Sequence, residues 1–355
     1  MTAEGETLAG PGWVPPRMRT SPRRSLILTA ACCLMAGCGS GGVHDTAAKP
    51  LPPAAEPGVS PVPAATPAGR VQRLDAFPEG IAVDPGTGRV AVGLRNPDRL
   101  AILDGASGRL LHRLVLPESP RHLLLGREPG VVLVPAERAD TLVRVNVRTA
   151  RILSRVRVGT FPHGVVQSGR RIFVADELGG RISVVQGDQV LATLGGLTQP
   201  GGLAIAGGRL AVVDVRTRRL VVFDVRTLKR LADVPAGIGA THAVADRAGE
   251  ILVADTEGRA LLVYRLTPTV RLVGRLPLPG TPYGIAIDPV HDQLWLTLTS
   301  SNRLLGFQVG HGRPRQFASY PTVRQPNTVA VDPASGRLFV ASRTASELET
   351  IRPRP

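Results

Sequence analysis

The chain has three cysteines in 355 residues, 3% aromatic residues and only two lysines, Lys49 and Lys229. Each scarcity excludes something. Cys32 and Cys33 fall in an N-terminal leader, so the processed chain would keep Cys38 alone and form no intramolecular disulfide; the fold must then be held by its core. With so few aromatic rings, the chain lacks the stacking platforms used in sequence-independent binding of single-stranded nucleic acid, which is not an expected partner. The apolar run Leu26–Ala36 is too short to cross a bilayer as a helix, which takes ~20 residues. There is no Gly-x-Ser-x-Gly elbow, phosphate-cradling loop, HExxH pair or EF-hand loop.

What stands at the N-terminus is RMRTSPRRSLILTAACCLMAGC, residues 17–38: arginines, a short apolar run, then small residues before a cysteine. This is the layout of a secretory signal peptide, read over residues 1–37, with Met18 an alternative start. Leu34-Met35-Ala36-Gly37-Cys38 resembles a bacterial lipobox, which implies lipidation at Cys38 and an extracytoplasmic domain anchored to the cell membrane. Arg23-Arg24 leaves open Sec or twin-arginine export. Residues 38–70 are rich in Pro, Ala and Gly and bury too little apolar surface to order themselves, so a flexible tether is expected there.

From Val71 onward one pattern recurs: a proline, a variable residue, a small residue, a β-rich run, a turn and a second β-rich run. It reads PEGIAVDPGTGRVAV from Pro78, PRHLLLGREPGVVLV from Pro120, PHGVVQSGRRIFVAD from Pro162 and PGGLAIAGGRLAVVD from Pro200. THAVADRAGEILVAD from Thr241, PYGIAIDPVHDQLWL from Pro282 and PNTVAVDPASGRLFV from Pro326 complete seven copies. A period near forty residues marks the blades of a propeller. Asp84-Pro85, Asp288-Pro289 and Asp332-Pro333 set tight turns. Third strands are read in Leu100–Leu103, Leu142–Val145, Ile182–Val185, Leu220–Phe223 and Leu261–Tyr264, with polar outer strands behind them. The seventh copy lacks an outer strand, and Val71–Ala76 has no blade of its own. The expected fold is therefore all-β, a seven-bladed β-propeller over residues 71–352, with the N-terminal strand closing the last blade. Phe173, Trp295 and Phe339 share one second-strand position and are expected between blades.

These motifs resemble the YVTN/YncE-like and NHL-repeat β-propellers, over essentially the whole domain. The resemblance implies the fold and a binding scaffold; some propeller relatives are lactonases or lyases. The lyase-type Trp-Phe-Thr-Glu signature is approached here only by Trp295-Leu296-Thr297.

In a propeller, equivalent positions fall on one ring about the axis. The residue after the proline reads Glu79, Arg121, His163, Gly201, His242, Tyr283 and Asn327, a polar and varied set of the kind a ligand face carries. The second strand returns to the same face with Asp176, Asp214 and Asp255. His163–Asp176 and His242–Asp255 are both thirteen residues apart, so each pair is expected to face across its hairpin. Three readings stay open. The aspartates accept loop N–H groups as structural punctuation; the face binds a small molecule or a protein; or the His–Asp pairs serve as an acid–base or metal site. Ligand contacts are assigned to Glu79, Arg121, His163, His242, Tyr283, Asn327 and Asp214. Catalytic candidates are His163, Asp176, His242 and Asp255, and no metal or cofactor is expected. Recognition without catalysis is the principal reading; a propeller hydrolase or lyase using the His–Asp pairs is the alternative. His112, His122, His291 and His311 receive no role.

The formal charge is +15; removing residues 1–37 takes away four arginines and two glutamates and leaves +13. Between Arg144 and Arg230 fifteen residues are basic and five acidic. Such a patch suits anionic headgroups or an anionic polymer, or is simply an arginine-rich solvated edge. A monomer is expected.

Overall fold

The computed structural model describes residues 50–353 except His311. The signal peptide, Cys38 and the first part of the tether lie outside the described residues. No helix among the described residues is long and apolar enough to cross a membrane.

The chain forms a seven-bladed β-propeller, each blade a four-stranded antiparallel sheet. In the third blade the strands run Pro162–Ser168, Arg171–Asp176, Arg181–Gln186 and Gln189–Leu194, from the axis outward. Blades one, two, four, five and six repeat this order, with inner strands Phe77–Asp84, Leu124–Leu125, Pro200–Ala206, Ala240–Ala245 and Pro282–Asp288. The seventh blade has Pro326–Val331, Leu338–Ser342 and Glu347–Ile351, and its outer strand is Arg70–Arg73 from the other end of the chain. Arg70 pairs with Thr350 and Arg73 with Glu347, so the N-terminal strand closes the ring as expected.

The repeat motif has a steric reason. An added Cβ on Gly80, third in the motif, would lie 1.9 Å from the carbonyl oxygen of Arg121 in the next blade. On Gly164, Gly202 and Gly284 it would meet the oxygens of Gly201, Thr241 and Asn327 at 2.6 Å. The inner strands thus converge so closely at the axis that this position has no room for a side chain on the next blade's side. Just beyond the proline each regular inner strand breaks register, between Pro162 and Val165 in the third blade and Pro282 and Ile285 in the sixth. Such a bulge re-aims the residue it frees.

Apolar side chains of neighbouring sheets interleave to make the core. Phe173, Trp295 and Phe339 are all buried between blades; Phe173, for example, packs with Leu203 and Leu210 of the fourth blade. Turn aspartates behave as the motif implies: Asp84 accepts from Gly86 N and Thr87 Oγ1, and Asp288 from Val290 N.

Residues 50–69, in the second part of the predicted tether, have no regular strand but follow the ring surface. Ser60 is buried; its N–H donates to Gln325 Oε1 at 2.9 Å, and its Oγ accepts from Gln325 N at 3.0 Å. Gln325 Nε2 also donates to Gly58 O, and Asn302 Nδ2 to Pro61 O. Proline leaves this stretch few N–H groups of its own, so side chains of the sixth and seventh blades hold it largely by its carbonyls.

Candidate functional site

Two positions per blade build the axial site. The second motif residue sits where the chain enters the inner strand. The residue one beyond the proline's partner on the second strand returns to the same face, as in Glu137 and Glu177, whose N–H groups are anchored on the incoming loop at Ser119 O and Phe161 O, both near 3 Å. The first position supplies Glu79, Arg121 and His163, the second Arg95, Glu137, Glu177 and Arg343.

These side chains lock together. Arg121 pairs with Glu79, and its Nε lies 3.3 Å from Glu137 Oε1. Arg95 reaches Glu137 at 2.6 Å, and Arg343 reaches Glu79 at 3.6 Å. His163 Nδ1 faces Glu177 Oε2 at 2.8 Å and Glu137 Oε1 at 3.2 Å. Gln199 donates to the other oxygen of Glu177. Glu79, His163, Tyr283 and Asn327 are 3–6% exposed. The expected open rim is therefore a packed polar plug, and its residues mostly bind one another.

Burial and Arg121 press the His163 pKa down, but Glu177 and Glu137 outweigh them and raise it above the usual value. Burial pushes Glu177 up, yet His163 and Gln199 carry it down to about 2. Each of the two groups thus favours the charged form of the other.

His242 does not occupy the position its repeat spacing indicates. Ala240 pairs with Asp255 as Pro162 pairs with Asp176. Thr241 is thus the second motif residue and His242 the third. The hairpin of the fifth blade is one residue longer, which preserves the count of thirteen to Asp255 while shifting the register. His122 is likewise third in its motif, where other blades carry glycine or threonine. The second blade pays with a shortened inner strand, Leu124–Leu125, and an isolated bridge from Pro120 to Ala136.

Two imidazoles thus enter the axis at positions otherwise kept small. His242 Nδ1 lies 3.2 Å from Tyr283 O, the carbonyl against which a third-position side chain points; Thr328 bonds to Glu79 O in the same way. A carbonyl only accepts, so Nδ1 of His242 carries the hydrogen and Nε2 a lone pair. That Nε2 lies 3.0 Å from His122 Nε2. The His122 ring stands edge-on to both His163 and His242, at centroid distances of 4.8 and 4.7 Å. Burial, with the charges of His163 and Arg121, lowers the His242 pKa to about 3; burial and the two neighbouring histidines lower His122 well below its usual value. One ring nitrogen from each of His122, His163 and His242 lies within 4.8 Å of the others, and Glu137, His163 and Glu177 form a second such group.

The His–Asp pairs do not form. Asp176 accepts from Gly159 N at 3.0 Å and Ser183 Oγ at 2.7 Å. Asp214 accepts from Thr198 N and Gln199 N, and Asp255 from Ile238 N, Gly239 N and Gly258 N. Each carboxylate caps the loop entering its own blade, where amide groups would otherwise be orphaned. The catalytic pairing of His163 with Asp176 and of His242 with Asp255 is thereby corrected, and Asp214 is a loop cap in the same way.

Beneath the plug lies an axial cavity of ≈ 430 Å³, with His122, His242 and Asn327 at one end and Leu125, Val165, Leu203 and Ile285 among its walls. Along the third blade the lining passes from buried Val165 to half-buried Val166 and Gln167. The cavity therefore opens on the face of the inner hairpin turns.

Many arginines of the basic stretch are committed within the fold. Arg171 donates to the carbonyls of Val225 and Arg226 in the next blade, Arg209 to Leu266 O, and Arg148 pairs with Asp84 at 2.8 Å. Arg151, Arg155 and Arg157, on the outer strand of the second blade, are exposed.

No protein-family model matches the chain, and no curated protein matches it by sequence. Solved structures similar to it include Kuenenia stuttgartiensis hydrazine synthase, 16% identical, over 79% of this chain and 97% of that chain, TM-score 0.69. A chain of the mitotic checkpoint complex is 13% identical over 86% and 97%, TM-score 0.70. Virginiamycin B lyase from Staphylococcus aureus is 14% identical over 79% and 98%, TM-score 0.65. At these identities the likeness shows the propeller fold. The neighbours include both lyases and proteins of large assemblies.

Proposed function

We propose that this chain is an exported, lipid-anchored propeller of the YVTN/YncE-like kind that binds a ligand in its axial cavity without turning it over. The observation that carries the reading is the one-ended cavity: apolar walls, an opening on the hairpin-turn face, and two imidazoles at the closed end. A mostly apolar pocket with a few convergent polar groups is the usual form of a small-molecule site. The chemistry fits a ligand with an apolar body and a polar end that meets the Asn327 amide and the imidazole lone pairs. The binding-scaffold reading is retained, but its ligand enters from the face opposite the plug.

The segment held by Ser60 and Gln325 runs beside the plug face, and the exposed arginines of the second blade are available to anionic headgroups or polymers.

The test is native mass spectrometry of the protein isolated from membranes. A co-purifying mass in the wild type that is lost in Ile205→Trp/Val244→Trp, which fills the cavity walls, supports the reading. No bound mass, or the same mass in the filled variant, overturns it.

A further inference from the structure

We propose that His122, His163 and His242 form a binding site for one divalent late first-row transition ion, of the zinc type, at the closed end of the axial cavity. Geometry carries the proposal. Bonds of ~2.0–2.1 Å in a tetrahedral array place imidazole nitrogens about 3.3 Å apart. The three ring nitrogens here lie 3.0 Å apart for His122 and His242 and within 4.8 Å as a set. Side-chain shifts of about an ångström or less bring all three onto one ion.

Two of the ligands are already oriented. Tyr283 O holds the Nδ1 hydrogen of His242, which turns the Nε2 lone pair to the axis. Glu177 and Glu137 face Nδ1 of His163 at 2.8 and 3.2 Å and so leave its Nε2 as the available ligand atom. A second ring nitrogen fixed by a carbonyl or carboxylate is the usual outer partner of a metal-bound histidine. The cost in the fold points the same way. His122 and His242 occupy positions that convergence of the inner strands otherwise keeps small, and the second blade loses most of its inner strand around His122.

An all-imidazole set with no thiolate suits zinc, copper or nickel more than magnesium or calcium. Three protein ligands leave a fourth position, and since His122 and His242 line the cavity, that position faces it. Near the site Glu79 and Glu137 pair with Arg95, Arg121 and Arg343 while Glu177 faces His163, so three carboxylates stand beside three guanidiniums. The ion's own charge is then uncompensated by protein, which favours an anionic fourth ligand from the cavity. This deepens the axial-binding reading, but a metal titration and the search for a co-purifying ligand fail independently.

The experiment is calorimetric titration of the full-length, chelator-treated protein with ZnCl2, with X-ray absorption at the zinc edge. One equivalent bound through nitrogen and oxygen ligands is expected, weakened at least 100-fold in His242→Ala and in His122→Gly, which restores the residue the repeat uses and so guards against misfolding. Glu177→Gln is expected to weaken binding about 10-fold through the orientation of His163. The Cys32→Ser/Cys33→Ser/Cys38→Ser variant should bind as the wild type does. Absence of stoichiometric binding, sulfur ligands at the zinc edge, or unchanged affinity in folded His122→Gly and His242→Ala overturns the proposal.

Discussion

His122 and His242, 120 residues apart in the chain, meet Nε2 to Nε2 at 3.0 Å across the propeller axis. They come from the second and fifth blades, so only a closed ring brings them together. The contact is expensive for the fold, because it desolvates two imidazoles and disrupts one inner strand. His122→Gly is therefore expected to change unfolding stability by no more than about 1 kcal/mol. Phe173→Ala, which hollows the core between blades three and four, should cost ~3–5 kcal/mol. Chemical denaturation of both variants checks this; a large loss for His122→Gly would make that imidazole a structural necessity.

Glu177 links the plug to pH. Its pKa in the fold is about 2, below the ordinary value of 4.5, so its contribution is present above about 4.5 and is lost as pH falls through about 2. The His163 pKa is raised, so its contribution is complete below 6.5 and declines as pH rises through the folded value. Glu177→Gln should cost about 2 kcal/mol between pH 4.5 and 6.5 and almost nothing near pH 2. Stability measured against pH gives the curve; a penalty independent of pH would refute the ion pair.

Gly80 and Gly169 separate two reasons for glycine. A Cβ at Gly80 would run into Arg121 O at 1.9 Å, whereas Gly169 has φ +57° and nothing within 4 Å. Gly80→Ala should lose ~3 kcal/mol because backbone must move. Gly169→Ala should lose only ~1 kcal/mol, the cost of the left-handed conformation. Equal losses in thermal unfolding would mean that inner-strand convergence does not limit the motif.

Gln325 pins the N-terminal segment through Ser60 and Gly58. Gln325→Ala should leave the ring folded but hasten proteolytic cleavage within residues 50–61 several-fold. A cleavage rate unchanged from wild type would show that the other contacts of this segment suffice.

The fold was legible because its determinants are local and repeated. Proline, a small residue and an aspartate-ended strand recur in most blades, and the orphan strand before Pro78 matches the strand missing after Glu347–Ile351. The site was only partly legible. Glu79, Arg121 and His163 were placed on the axis by motif position alone, but their partners Glu137 and Glu177 come from a neighbouring blade or from the turn after the second strand, where no motif marks them. Thr241 resembled the motif proline, and the longer hairpin Asp246–Glu250 hid the one-residue shift that moves His242. His122 carried a signal that went unused: a large side chain where the next blade's carbonyl demands a small one. The His–Asp pairing failed because strand register ignores competition from orphaned loop amides, which claim Asp176 and Asp255.

Long-range 15N NMR of histidine-labelled, metal-free protein tests the axial cluster most directly. A trans-hydrogen-bond coupling between His122 Nε2 and His242 Nε2 is expected, with His242 as the Nδ1–H tautomer and neither ring titrating between pH 5 and 8. Absence of that coupling, with both rings titrating near 6.5 as solvated imidazoles do, would contradict it.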